Sequence, residues 1–287
     1  MRLPLRLLQR KPDSQKGDFG HIFILAGSAQ FSGAAVLCAA AAMRSGAGLV
    51  TLGIPKSINS AVIKIKLLEI MTLPLSQTRQ ATLGLAAFKD VGNFAKKADI
   101  LVVGPGLSQN KNTQSLIRKI ITRINKPAVI DADGINALAG HLNILKKAGK
   151  QEPKIILTPH PGEMSRLLGT SIREVQGNRK KVAQKLACDY NITVVLKGYR
   201  TIVVDGQGNC FENKTGNSGM SSAGTGDVLA GIIASFLGQG LNAFEAAKFA
   251  VYLHGLSGDL AAKEKTKLGL IASDIIENIP RAIKLCS

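Results

Sequence analysis

The chain has 287 residues, 45% hydrophobic and 20% charged, with 37 Lys and Arg against 19 Asp and Glu for a net charge of +18. That is ample apolar material for a core, and no Pro-, Ser- or Gly-rich tract or charge block interrupts the alternating apolar segments, so residues 1–287 read as a single domain. The basic residues are spread along the chain and aromatics make up only 4%, which argues against a base-stacking platform and makes nucleic acid an unexpected partner.

No run reaches the ~20 apolar residues of a bilayer span, so no membrane association is expected. Met1 to Lys16 also lacks the apolar run and cleavage site of a signal peptide, which makes the expected location cytoplasmic. Cys38, Cys188, Cys210 and Cys286 stand far apart with no metal-ligand spacing, so neither a disulfide nor zinc is expected.

In chain order, His21 to Ala26 is a short apolar strand that ends at Gly27-Ser28. A helix of very small residues follows from Ser32 to Gly46, with Ala34 at its start, where backbone or ligand can lie close. Gly46 to Pro55 returns as a second buried strand, and Lys56 to Phe94 reads as basic helical segments without nameable chemistry. Ile100 to Val103 is a parallel-sheet strand that empties into Gly104-Pro-Gly-Leu107, the place where open α/β sheets bind ligands.

Ala128 to Asp131 is a further strand, ending in Asp131, Asp133 and Asn136, one of which is expected to cap a helix from Ile135. Lys154 to Leu157 leads into Thr158-Pro-His-Pro-Gly-Glu163, where two prolines fix the loop around His160 and favour a ligand role for that histidine. Arg173 to Tyr190 reads as one amphipathic helix, followed by strand Thr193 to Leu196 and Lys197-Gly-Tyr-Arg-Thr201. There Lys197, Gly198 and the Thr201 hydroxyl suit a diphosphate. A hairpin is expected around Asp205 to Asn209, and helices over Ala243 to Ala262 and Ser273 to Leu285, with His254 as a core residue.

The densest signal is Gly216 to Ala234. A polar, glycine-rich loop without a charged residue from Thr215 to Gly226 runs into an apolar helix over Val228 to Leu237. Gly224, Thr225 and Gly226 read as the start of an anion-binding helix, with Asp227 at its mouth. The alternative is that the glycines only make a turn and Asp227 caps the helix. On these residues alone the chain is an α/β enzyme with phosphate at Gly224 to Asp227 and a second ligand near Gly104 and His160, its mostly parallel sheet covered by helices on both faces.

Asn217, Gly219, Met220 and Gly224-Thr-Gly-Asp-Val-Leu229 resemble the signature of the ADP-dependent NAD(P)H-hydrate dehydratases of the ribokinase-like superfamily, and Lys16 to Ile54 and Pro159 to Glu163 are similar to other segments of that family. The Gly-Thr-Gly-Asp pattern is shared with small-molecule kinases of the superfamily; the Pro-His-Pro-Gly-Glu segment departs from the sugar kinases. The resemblance runs from about Lys16 to the C-terminus and implies a ribokinase-like, three-layer αβα fold. The activity it implies is ADP- or ATP-dependent dehydration of the S epimer of NADHX or NADPHX to NADH or NADPH, releasing AMP or ADP and phosphate, a repair of nicotinamide cofactors.

Carried over to this sequence, Asp227 is the base, and Ala34, Gly104, Gly106, His160 and Asp227 contact the hydrate. Lys197, Gly198, Tyr199, Arg200, Thr201, Gly224, Thr225 and Gly226 hold the nucleotide. The resemblance also implies Mg2+, with Glu163 as one candidate ligand, a homo-oligomer (homotetrameric in the family) and a separate epimerase acting on the same metabolite, since the epimerase domain fused in some relatives is expected to be absent here. The rival readings are a hydroxyethylthiazole-type kinase and, prompted by the charge, a non-catalytic nucleic-acid or nucleotide-binding protein. A helix start favours the Asp227 carboxylate by ~0.3–1 kcal/mol, and a diphosphate alongside opposes it, so the two effects roughly cancel.

Overall fold

The computed structural model describes residues 1–148 and 155–287. Among the described residues, nine strands form one sheet in the order β3-β2-β1-β4-β5-β6-β7-β8-β9. They are β1 (His21–Leu25), β2 (Leu49–Pro55), β3 (Met71–Leu75), β4 (Ile100–Val103), β5 (Ala128–Ile130), β6 (Ile155–Leu157), β7 (Thr193–Leu196), β8 (Ile202–Val204) and β9 (Cys210–Glu212). Every pairing from β3 across to β7 is parallel, and β8 and β9 add an antiparallel margin.

The helices are α1 (Leu5–Leu8), α2 (Ser32–Arg44), α3 (Asn59–Ile65), α4 (Phe88–Ala95), α5 (Lys111–Arg123), α6 (Asp133–Asn136), α7 (Asn143–Ala148), α8 (Pro161–Leu168), α9 (Ile172–Gly177), α10 (Arg179–Tyr190), α11 (Thr225–Gly238), α12 (Ala243–Gly269) and α13 (Ala272–Leu285). Because side chains alternate along a strand, a strand covered on both faces must be apolar at every position. In β1, Ile22 and Ile24 enter the core shared with α2, α11, α12 and α13, whereas Phe23 and Leu25 enter the opposite core with residues of α4, α5, α8 and α10. The two cores are the spaces between three layers, αβα.

The innermost helix is α11, whose nine consecutive residues Val228 to Phe236 are all buried. A helix apolar all round has no face for water and must be enclosed. It lies against α2, whose run of alanines lets the two backbones approach: a Cβ built on Gly231 would stand 2.2 Å from the Cys38 carbonyl oxygen and 3.0 Å from the Ala42 nitrogen. The small residues of α2 therefore serve helix packing along most of its length.

Three expectations are corrected. The stretch 56–94 contains β3, an edge strand whose Met71 and Pro74 are exposed and whose proline interrupts the apolar pattern. The helix expected over 173–190 breaks at Asn178 into α9 and α10. The helix from Ala243 continues to Gly269, with a kink at Thr266, where φ is 64°. The strand expected from Lys154 begins at Ile155 among the described residues, Lys154 itself lying outside them.

Gly231→Ala is expected to lower stability by about 1–3 kcal/mol, since overpacking against backbone outweighs the roughly 1 kcal/mol that alanine adds to a helix. Thermal unfolding checks this; an unchanged or raised Tm would contradict the packing.

Candidate active site

The strand order reverses between β1 and β4, and in open α/β sheets the crevice outside the carboxyl ends of the strands at such a point takes ligands. The loops leaving β1 and β4 are tied together there: the Gly27 amide donates to the Pro105 carbonyl (2.8 Å). A Cβ on Gly106 would meet the Phe31 carbonyl oxygen at 2.7 Å and Ala34 Cβ at 3.0 Å, so Gly106 and Ala34 are neighbours. Gly104 has φ of 137°, and a Cβ there would lie 1.7 Å from the Asp131 carbonyl oxygen. Only glycine lets the chain leaving β5 cross this close.

Side by side with these, β5, β6 and β7 deliver Asp131, Thr158 to His160, and Lys197. Lys197 Nζ donates to Asp131 Oδ1 at 2.6 Å and stands 3.8 Å from Glu163 Oε2. The Thr158 hydroxyl donates to the same Asp131 Oδ1, also at 2.6 Å. A lysine this deep would lose its charge to burial, but the two carboxylates hold its proton affinity above the ordinary value. The loop that follows is pinned from α10: Arg179 donates to the Leu196 (3.1 Å) and Lys197 (3.3 Å) carbonyls and to that of Tyr199. Thr201 Oγ1 donates back to Gly198 O (3.0 Å), Arg200 pairs with Glu212 (3.2 Å), and Tyr199 is 84% exposed.

The first turn of α11 faces this lysine, since a Cβ on Gly226 would lie 3.2 Å from Lys197 Nζ. Gly224 is the helix N-cap, with φ of 89°, and it packs on Leu37. Asp227 lies in the first turn of the helix, whose N-cap Gly224 provides no side-chain capping bond. Its carboxyl is pushed up from 3.8 to about 7, first by burial and then by the negative charge of Asp131; Lys197 opposes this, while Glu163 and Asp133 add to it. Such a group exchanges its proton near neutrality, the property a general base requires.

His160 has a structural role as well as its exposed position. Its Nδ1 accepts the Gly162 (3.0 Å) and Glu163 (3.2 Å) amides, making it the N-cap of α8, and Glu163 Oε2 returns a bond to the His160 amide (2.8 Å). With Nδ1 occupied as acceptor, the ring is neutral with its proton on Nε2, 3.3 Å from Glu163 Oε1. Burial and the nearby Lys197 and Arg166 lower its proton affinity accordingly. Glu163, whose own carboxyl is raised by burial, has both oxygens directed at His160.

No side chain among Asp131, Asp133 and Asn136 caps the helix after β5, contrary to expectation: its N-cap is Ala132, at φ 49° and ψ −117°. Asp133 Oδ2 instead accepts the Ser108 amide (2.7 Å). His254, expected in the core, is half-buried on α12, and burial pushes its imidazole down to about 4, with the Thr225 backbone opposing the shift. Sequence reasoning missed Asp131 and Arg179 as parts of the site; Asp131 showed only as a carboxylate at a strand end, and Arg179 had no local signal.

Residues 22–281 match the family model of the NAD(P)H-hydrate dehydratases. A bifunctional NAD(P)H-hydrate repair enzyme of Moorella thermoacetica is 39% identical over 97% of this chain and 52% of its own length. The chain thus spans about half the length of the bifunctional relatives it matches. An ADP-dependent (S)-NAD(P)H-hydrate dehydratase of Neisseria meningitidis is 36% identical over 96% of this chain and 88% of its own. The crystal structure of the ADP/ATP-dependent NAD(P)H-hydrate dehydratase of Bacillus subtilis, grown with ATP and Mg2+, superposes with a TM-score of 0.80 at 30% identity, covering 100% of this chain and 95% of its own. The architecture is the ribokinase-like one, and the match over most of its length shows that the chain belongs to the NAD(P)H-hydrate dehydratase family.

Proposed function

We propose that this single-domain chain dehydrates the S epimer of NADHX or NADPHX to NADH or NADPH at the expense of ADP or ATP. The observation that carries this reading is the placement of Asp227 in the first turn of α11, where a Cβ on the preceding Gly226 would lie 3.2 Å from the Lys197 ammonium. It is joined by the likeness to dehydratases named as ADP- or ATP-dependent. The nucleotide lies along Lys197 to Thr201 and the helix start at Gly224 to Gly226, where unpaired amides and the lysine suit a diphosphate. The hydrate lies over Ala34, Gly104, Gly106 and His160, with its ring hydroxyl toward Asp227.

Asp227 takes the hydroxyl proton as the oxygen attacks the terminal phosphorus, and AMP (or ADP) leaves. The carbon–oxygen bond then breaks, phosphate departs and a ring C–H proton is lost, restoring the dihydronicotinamide. Among the described residues no group of three or more His, Cys, Asp or Glu is placed to hold a metal ion. Magnesium would accompany the nucleotide, as an ion commonly bound through substrate phosphates, and would supply charge neutralisation there. Glu163, directed at His160, is not assigned to it.

No described helix is long and apolar enough to cross a membrane; a cytoplasmic location, a homo-oligomer and a separate epimerase on the same metabolite complete the proposal.

Incubating the protein with hydrated NADH and ADP or ATP should regenerate reduced-nicotinamide absorbance and yield AMP or ADP with free phosphate; a stable phosphorylated product would instead make it a kinase. The same assay carries a pH dependence. Asp227 serves as base only when ionised, and its value stands raised from 3.8 to about 7. We therefore expect kcat/KM to rise about tenfold per pH unit below neutrality and to level off above it. A profile flat down to pH 5 would contradict the assignment.

A further inference from the structure

Asp131 belongs to none of the ligand contacts above, yet the fold goes to some length to place it. The residue is 1% exposed, and one oxygen, Oδ1, takes both the Thr158 hydroxyl and Lys197 Nζ at 2.6 Å. The other, Oδ2, is directed toward α11, 4.0 Å from where a Cβ of Gly226 would stand. Its carbonyl crosses Gly104 at a distance that no other residue permits, and the next residue, Ala132, is held at positive φ, where an L residue with a Cβ is strained. A carboxylate needed only to neutralise a lysine would not require that placement.

We propose that Asp131 is a positioning residue: it holds the Lys197 ammonium against the first turn of α11, the turn that carries Asp227, and so governs when Asp227 can accept the substrate's proton. This rests on the reading of Asp227 as the base. The titratable and charged groups around Asp227 come from every neighbouring element: Asp131 after β5, Asp133 on α6, Glu163 on α8, Lys197 after β7, Cys38 on α2 and His254 on α12 against the Thr225 backbone. Lys197 is the cation of this set, and Asp131 is its shortest contact. The buried Cys38 thiol is held well above its usual value, so it is neutral, and His254 is neutral as well. Removing the Asp131 charge deletes a like charge facing Asp227 and frees the lysine to turn to it, and both changes stabilise the Asp227 carboxylate.

The test is the pH profile of kcat/KM for Asp131→Asn beside the unaltered protein. The acidic limb should move to lower pH by about one unit, the low end of what a like charge at close range produces, while the plateau falls. A limb that stays in place while the unaltered protein shows its limb near pH 7 would overturn the proposal; the absence of that limb from the unaltered protein would instead remove the base reading on which it rests. Since losing one member of a buried ion pair can unfold a protein, Thr158→Val supplies a second arm that keeps both charges and removes one of the bonds fixing Asp131. There kcat should fall about tenfold, the size of one lost hydrogen bond to a charged group, with ADP affinity within twofold; an unchanged kcat would also overturn the proposal.

Discussion

The ion pair between Lys197 and Asp131 is the contact on which the rest of the site depends. A lysine enclosed at a strand end keeps its proton only if carboxylates meet it, and breaking such a pair by removing one partner costs about 3–5 kcal/mol. The pair joins residues 66 apart in sequence, and it exists because β5, β6 and β7 lie side by side in the sheet. Thr158 from β6 bonds the same carboxylate oxygen, so three strand ends are fastened by one side chain. Arg179 fixes the chain beyond the lysine, and the bare turn at Gly226 faces its ammonium.

The same cluster explains why Asp227 does not behave as an ordinary surface carboxylate. A helix start stabilises a negative charge by ~0.3–1 kcal/mol, and Lys197 adds to that. Enclosure beside Asp131, Glu163 and Asp133 works against both and prevails, lifting the carboxyl from 3.8 to about 7. Between those values the folded protein keeps a proton that the unfolded chain has released, so this group lowers stability progressively as pH rises through that window and by its full amount above it. The protein carries a destabilised carboxylate at the place where the proposed reaction needs a proton acceptor.

Much of the fold was legible because parallel strands buried on both faces are continuous apolar runs, and because Gly224 to Asp227 joins a bare turn to a helix too apolar for any surface. Strand β3 was not legible, since it lies at the sheet edge with exposed Met71 and Pro74 in place of a buried run. The site was legible as a set of strand ends but not as a set of contacts. Asp131 could be read as a cap as easily as a lysine's partner until β7 was placed near β5, and Arg179 is an unremarked cation on a helix until its bonds to the Leu196 and Lys197 carbonyls are known. His160 was singled out correctly as a fixed side chain, but the capping bonds that fix it depend on where α8 begins.

The measurement that bears most directly on the account is single-turnover dehydration of the hydrate by Asp227→Asn with ADP bound. Asparagine keeps the size and shape of Asp227 in the first turn of α11 while removing the proton acceptor. The account predicts a fall of ~10²–10⁴-fold in the rate, the usual contribution of a general base, with ADP affinity retained. A rate close to that of the unaltered protein would contradict it.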